Sequence, residues 1–233
     1  MAELLAKYGN LFLSGAAVTA QVTLYGVIFA TIIAFVMGLA RESSHRILSI
    51  PSAVFIEVFR GTSLIVQMFW LFYVLPFFGI NLAPITSAVI ALGCNEGAYA
   101  AEAIRGAIKS VPKEQEEASI ALSLSPTRTL WKIKLPQALL IMLPSYGNMV
   151  MDLFKNTSLV SLVTVIDLSF VGEQVRGVTG QTFDIYLILL VMYFIGSLIL
   201  GQIVRGMERF AASRFGVRKT KHSALNKMIE VLP

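Results

Sequence analysis

Val18–Ala40 reads V-T-A-Q-V-T-L-Y-G-V-I-F-A-T-I-I-A-F-V-M-G-L-A, an apolar run without a single Asp, Glu, Lys or Arg. A helix needs about 20 mostly apolar residues to cross a hydrocarbon core about 30 Å thick. Backbone groups in lipid must be satisfied within the segment, so a run of this kind reads as a helix and not as an open strand. Four further runs follow, at Val54–Phe78, Pro84–Ile104, Ala138–Ile166 and Asp184–Val204. The fourth is long enough to tilt or kink, and Pro144 and Gly147 allow it to bend. The expectation is an all-α, polytopic membrane protein with five transmembrane helices.

Composition agrees. Of 233 residues, 56% are hydrophobic and 14% charged, with a mean hydropathy of +0.73. Soluble domains carry about 25% charged residues. Cys94 is the only cysteine, which excludes an intrachain disulfide frame and a cysteine-based metal site. His45 and His222 stand apart, whereas metal sites need clustered ligands, so no cofactor is expected. The N-terminus, with Glu3 and Lys7, lacks the basic flank and short apolar core of a cleavable signal.

The net charge of +5 could suggest nucleic acid, but the cations sit at particular ends of the apolar runs. Arg41 and Arg46 follow the first run, and the Pro76–Pro84 connection has none. Arg105, Lys109, Lys113, Arg128, Lys132 and Lys134 follow the third; Arg176 alone follows the fourth. Seven more close the chain, from Arg205 to Lys227. Fifteen cations thus fall on one side and two, Lys7 and Arg176, on the other. Positive loops stay cytoplasmic, which predicts an external N-terminus and a cytoplasmic C-terminus. Residues 1–210 read as the membrane domain and 211–233 as a basic cytoplasmic tail.

The long cytoplasmic loop, about 112–136, contains E-A-S-I-A-L-S-L-S at Glu117–Ser125 and I-K-L-P at Ile133–Pro136. Ser110 is placed to cap a helix starting at Pro112, and Glu114, Glu116 and Glu117 suit the positive end of its dipole. Ser125-Pro126 marks a second start, and Pro136 an end. Two short helices at an angle are expected, with Ala118, Ser119, Ala121 and Ser123 small enough for a partner to approach. The bland reading is an ordinary interfacial amphipathic helix.

Ionisable and strongly polar groups inside a span are costly and mark candidate sites. Glu57 and Arg60 are three apart, placed for an ion pair, with Gln67 two turns deeper. Asn95, Tyr99 and Glu102 share a helix face, while Glu96 lies off it. Gly93 and Gly97 form a small-residue pair that admits a neighbouring helix. Asp152, Lys155 and Asn156 occupy i, i+3 and i+4, followed by Thr157 and Ser158. A solute carrying both an ammonium and a carboxylate suits such a surface, although a self-paired structural bridge is the competing reading. Candidate pathway residues are Asn95, Tyr99, Glu102, Asp152, Lys155, Asn156, Thr157, Ser158 and Gln67.

The loop resembles the one by which bacterial ABC importer permeases dock their ATPase: Glu-Ala-Ala, three residues, Gly, nine residues, then Ile-x-Leu-Pro. Ser119 stands for the second Ala and Ser123 for the Gly. Phe55–Gln67, Asn95–Gly106 and Lys155–Leu159 are similar to signatures of the polar amino acid permeases, with Ser63 where that family usually has Pro. Ser63, Met68–Trp70 and Ala121–Pro126 are similar to the ectoine and hydroxyectoine permeases. The resemblance covers about residues 18–210. It implies a type I ABC importer permease, itself not an enzyme, paired with an identical or sister permease. It further implies two cytoplasmic ATPase subunits, an external solute-binding protein and a bacterial inner-membrane location. Glu117, Ala118, Ser119, Ala121, Leu122, Ser123, Ile133, Leu135 and Pro136 become the docking candidates. Two other readings are an ion-coupled transporter or channel relaying through Asp152, Glu102 and Lys155, and a structural anchor subunit.

Overall fold

The computed structural model describes residues 2–43 and 45–214. The basic tail expected at 211–233, with His222, lies almost wholly outside the described residues. Among those described, helices account for nearly everything and no strand occurs. The first helix, α1 (Ala2–Glu42), starts well before the expected run, and at about 1.5 Å per residue it is longer than a bilayer is thick. It is followed by α2 (Arg46–Gly61) and α3 (Leu64–Phe69), the latter continuing through a π turn and a 3-10 turn to Phe78. Then come α4 (Pro84–Lys109), α5 (Lys113–Ala121), α6 (Pro126–Thr129), α7 (Leu135–Asn156), α8 (Leu168–Thr179) and α9 (Thr182–Arg214).

The main core forms where α1 lies along α4, with α7 on the other side. Gly97 makes the close approach possible: a Cβ there would sit 2.8 Å from the Ile33 Cβ and 2.9 Å from the Ala30 carbonyl oxygen. The expected role of Gly93 and Gly97 therefore holds, with α1 as the neighbour. A second core joins the early part of α1 (Leu4, Phe12) to α8 and the start of α9. That packing keeps residues 2–17 helical despite Gly9 and Gly15.

Three expectations change. Val54–Phe78 is not one straight span: α2 and α3 meet at 107°, with Thr62 and Ser63 extended between them. Ala138–Ile166 is not one α-helix either. After Asn156 the chain tightens into a 3-10 turn, Thr157–Val163, then bends by 51° into α8. There Asp167 caps the helix, its carboxylate accepting from the Ser169 and Phe170 backbone N–H groups at 3.2 and 3.0 Å. Pro136 does not end its helix. A π turn at Leu130–Lys134 shifts the ladder, the Leu135 N–H reaching the Leu130 carbonyl, so the proline falls in the first turn of α7 where no N–H is required.

The count of five spans is also narrower in the structure. By length and apolarity α1 and α9 each qualify, and each of the two bent pairs supplies one more if it crosses as a unit, giving two to four. Helix α4 is long enough, but Asn95 and Glu96 at its centre lower its hydropathy.

Candidate functional site: a polar cavity at a helix break

Breaking a helix at Thr62–Ser63 strips carbonyls of their intrahelical partners, which is tolerable at membrane depth only where other groups satisfy them. Three side chains expected on the solute pathway do that work. The Gln67 amide nitrogen donates to the Phe59 carbonyl at 2.9 Å and reaches the Thr62 carbonyl and hydroxyl at 3.2 and 2.7 Å. Asn95 Nδ2 donates to the same Phe59 carbonyl at 2.9 Å and to Gln67 Oε1 at 3.2 Å. The Tyr99 hydroxyl donates to the Arg60 carbonyl at 3.3 Å, and the Arg60 guanidinium lies 5.3 Å above the Tyr99 ring.

Against this break lies a cavity of about 640 Å³, bounded by Thr62, Ser63 and Leu64, by α4 and by α7. That volume is typical of small-molecule sites. Of the candidate pathway residues, Asn95, Tyr99, Asp152, Lys155 and Asn156 line it. Lys155 Nζ and Asp152 Oδ1 are 3.2 Å apart, with both side chains more than half exposed, at 60% and 57%. Such a solvated pair is worth about 0–1 kcal/mol, so a ligand bearing both charges can replace each partner at little cost. Glu96, not anticipated, also lines the cavity; it is buried and accepts from Asn156 Nδ2 at 2.8 Å, tying α4 to α7. Ser145 and Asn148 complete the polar wall on α7.

The other candidates lie off the cavity. Gln67 stands behind Asn95. Glu102 is held by Arg105, whose Nε is 3.0 Å from both carboxylate oxygens, and by Arg41 Nε at 3.9 Å. Arg41 also takes Glu57, at 3.4 Å, in place of the ion pair expected between Glu57 and Arg60. Thr157 is buried, its hydroxyl donating to the Phe154 carbonyl at 2.6 Å. Ser158 borders a separate depression with Tyr186 and Tyr193.

The first expected short helix forms as α5; the second is not separate, because α6 runs on through the π turn into α7. Ser110 is not the cap of the first; it closes α4, its hydroxyl donating to the Ala107 carbonyl at 2.8 Å. Helix α5 ends in a Schellman motif: Leu124 N–H bonds the Ser119 carbonyl at 3.0 Å and Ser123 N–H the Ile120 carbonyl at 2.8 Å. Ser123 occupies the left-handed position with φ of 54°, the place that glycine fills without steric cost. Glu117, Ala118, Ala121, Leu122 and Ser123 are exposed, Ile133 and Pro136 half-buried. Ser119 and Leu135 face inward; the Ser119 hydroxyl accepts from Thr129 at 3.0 Å. Glu116–Lys134 at 2.8 Å and reciprocal Gln115–Gln137 bonds at 3.2 and 2.6 Å fasten α5 to the base of α7.

Residues 13–212 match the family described as the binding-protein-dependent transport system inner membrane component, and the chain belongs to that family. Over 200 residues it is 42% identical to a probable amino-acid ABC transporter permease of Sinorhizobium fredii, covering 83% of this chain and 84% of that one. The L-cystine transport system permease TcyB of Bacillus subtilis is 37% identical over 199 residues, covering 83% and 85%. Among solved structures, one described as an amino acid ABC transporter with histidines superposes with a TM-score of 0.82 at 31% identity, covering 88% of this chain and 96% of its own.

Proposed function

We propose that this chain is the translocation subunit of an ATP-driven importer for a polar amino acid or an amino-acid-derived zwitterion such as ectoine. The observation that carries the reading is the solvated Asp152–Lys155 pair facing the 640 Å³ cavity in a chain of this family. Lys155 receives the solute carboxylate, Asp152 its ammonium, and Asn148 and Ser145 its remaining polar groups. An external binding protein delivers the solute, and the chain lies in the inner membrane with its N-terminus outside.

ATP is hydrolysed by a separate subunit, for the chain contains no Gly-x-x-x-x-Gly-Lys-Ser/Thr phosphate loop. That subunit docks on the exposed face of α5, around Glu117, Ala118, Ala121 and Leu122. The ties from α5 to the base of α7 make the loop and α7 move together. Asp152 lies 17 residues beyond Leu135 on α7, about 26 Å along its axis, so a tilt imposed at the loop reaches the cavity. Alternating access follows as a population shift between two arrangements of α7 against the broken helix and α4. A relay through Glu102 has no support, because two arginines hold that carboxylate.

The test is uptake into vesicles holding the permease pair with its ATPase, given the cognate binding protein and a panel of labelled polar amino acids and ectoine. Uptake should require ATP, the ATPase and the binding protein. Gradient-driven uptake without nucleotide would replace this reading with the ion-coupled one.

A further inference from the structure

Arg60 is the charge beside the cavity that the solute pathway leaves unused. Glu57, three residues earlier, goes to Arg41. Glu102, near enough to feel the Arg60 charge, already carries Arg105 and Arg41. The Arg60 Nε is buried without a hydrogen-bond acceptor, and among the described residues no ion pair engages the guanidinium. A cation left in that state inside a membrane protein is costly and marks a functional position. The guanidinium lies instead over the face of Tyr99, 5.3 Å from the ring centroid. An aromatic face holds a guanidinium more weakly than a carboxylate does, because a carboxylate can accept two parallel N–H bonds.

Arg60 does not itself line the 640 Å³ cavity, but Thr62, two residues on, and Tyr99, whose ring it covers, both do. Tyr99 is nearly half exposed, and its hydroxyl has only the 3.3 Å bond to the Arg60 carbonyl. The level of Arg60 in the cavity follows from α4. Glu96 is bonded to Asn156, the residue after Lys155, and Tyr99 lies three residues further towards Lys109, about 4.5 Å along the axis. In the orientation proposed above, Lys109 is the cytoplasmic end. Lys155 therefore marks the outer level of the cavity and Arg60 a level further in. Asp152, three residues before Lys155 on α7, also lies inward of it.

We infer that Arg60 is a second carboxylate-binding site on the solute's route. The solute carboxylate meets Lys155 first and passes to Arg60 as α7 tilts, while the ammonium stays on Asp152. The Tyr99 ring turns aside, and the guanidinium fork takes the carboxylate in its place. This reading rests on the cavity being the route, and it names the group that receives the solute on the cytoplasmic side.

The test compares native, Arg60→Met and Arg60→Lys transporters, each complete with ATPase and binding protein in vesicles, over a range of solute concentrations. The probes are labelled L-glutamine, L-histidine and ectoine, each bearing one carboxylate. An interaction made only after the solute is bound acts on the maximal rate and not on half-saturation. Arg60→Met should lower the maximal rate about tenfold, the worth of one charge-assisted hydrogen bond, with half-saturation within about twofold of native. Arg60→Lys keeps a cation without the fork and should retain at least about a third of the native maximum. Native kinetics in Arg60→Met overturn the assignment. So does a raised half-saturation at an unchanged maximum, which would make Arg60 part of the first contact. If Arg60→Met does not assemble, the lysine variant decides, and an assembled Arg60→Lys transporter about tenfold slower than native overturns the assignment. Native uptake that needs no ATP would instead remove the functional reading, and this one with it.

Discussion

Replacing Gln67 by methionine keeps nearly the same volume while removing the amide that holds the helix break. The nitrogen carries two hydrogens, so of the three oxygens around it only two can receive full bonds at once. The bond accepted from Asn95 makes three lost interactions. Interhelical hydrogen bonds in membrane proteins average about 0.6 kcal/mol and reach about 1.7. The Phe59 carbonyl keeps Asn95 as a donor, and the Thr62 groups lie where water can replace the amide. The sum is a loss of about 2 kcal/mol. For a chain of this size that lowers the melting temperature by about 4–8 °C, measurable by tryptophan fluorescence during heating of the detergent-purified transporter. Gln67→Glu should fall further, because an acceptor would then face the Phe59 carbonyl. A methionine variant melting within about 1 °C of the parent would refute the idea that Gln67 holds the break.

At the loop, Ser123→Gly should stabilise the end of α5 by up to about 1 kcal/mol by removing the left-handed strain on a side-chain-bearing residue. Slower amide exchange at Leu124 would register it. Ala118→Asp, on the exposed face of α5, should leave the permease folded but uncouple ATP hydrolysis from uptake; tight coupling in that variant removes α5 as the docking face. Asp152→Asn should raise the solute concentration needed for half-maximal uptake several-fold while stability changes by less than about 1 kcal/mol, since the pair is solvated. A large stability loss with normal uptake would make the pair a structural bridge.

The apolar runs were legible because lipid imposes a length and a polarity on every crossing helix, and most of each run is helical. The breaks were not. Leu64–Phe78 continues the apolar pattern of Val54–Phe59, and the Gly61-Thr62-Ser63 step is compatible with an unbroken helix until its carbonyls are seen to be claimed by Gln67, Asn95 and Tyr99. Glu96 was set aside by helical-face arithmetic, which fails on α4 because its central stretch, Ala91–Ala98, is buried on all sides and has no outer face. Glu102 fell on the expected face yet is captured by Arg105, three residues on, with Arg41 adding a second cation from far away in sequence at 3.9 Å. Helix α8 had readable signals, Asp167 as a cap and Gly180 with φ of 68° as a stop, but its short length hid it behind the longer runs. At Ser123 the family glycine marks a left-handed residue, and the structure supplies the reason for it.

That the cavity is the solute's route is the central proposal. Its most direct test is ATP-driven uptake by the complete transporter carrying Lys155→Met, with basal ATP hydrolysis measured in the same vesicles. Uptake should fall at least about tenfold, the loss of one charge-assisted contact to the solute carboxylate, while hydrolysis persists. Uptake at the parent rate with a folded chain would contradict the route.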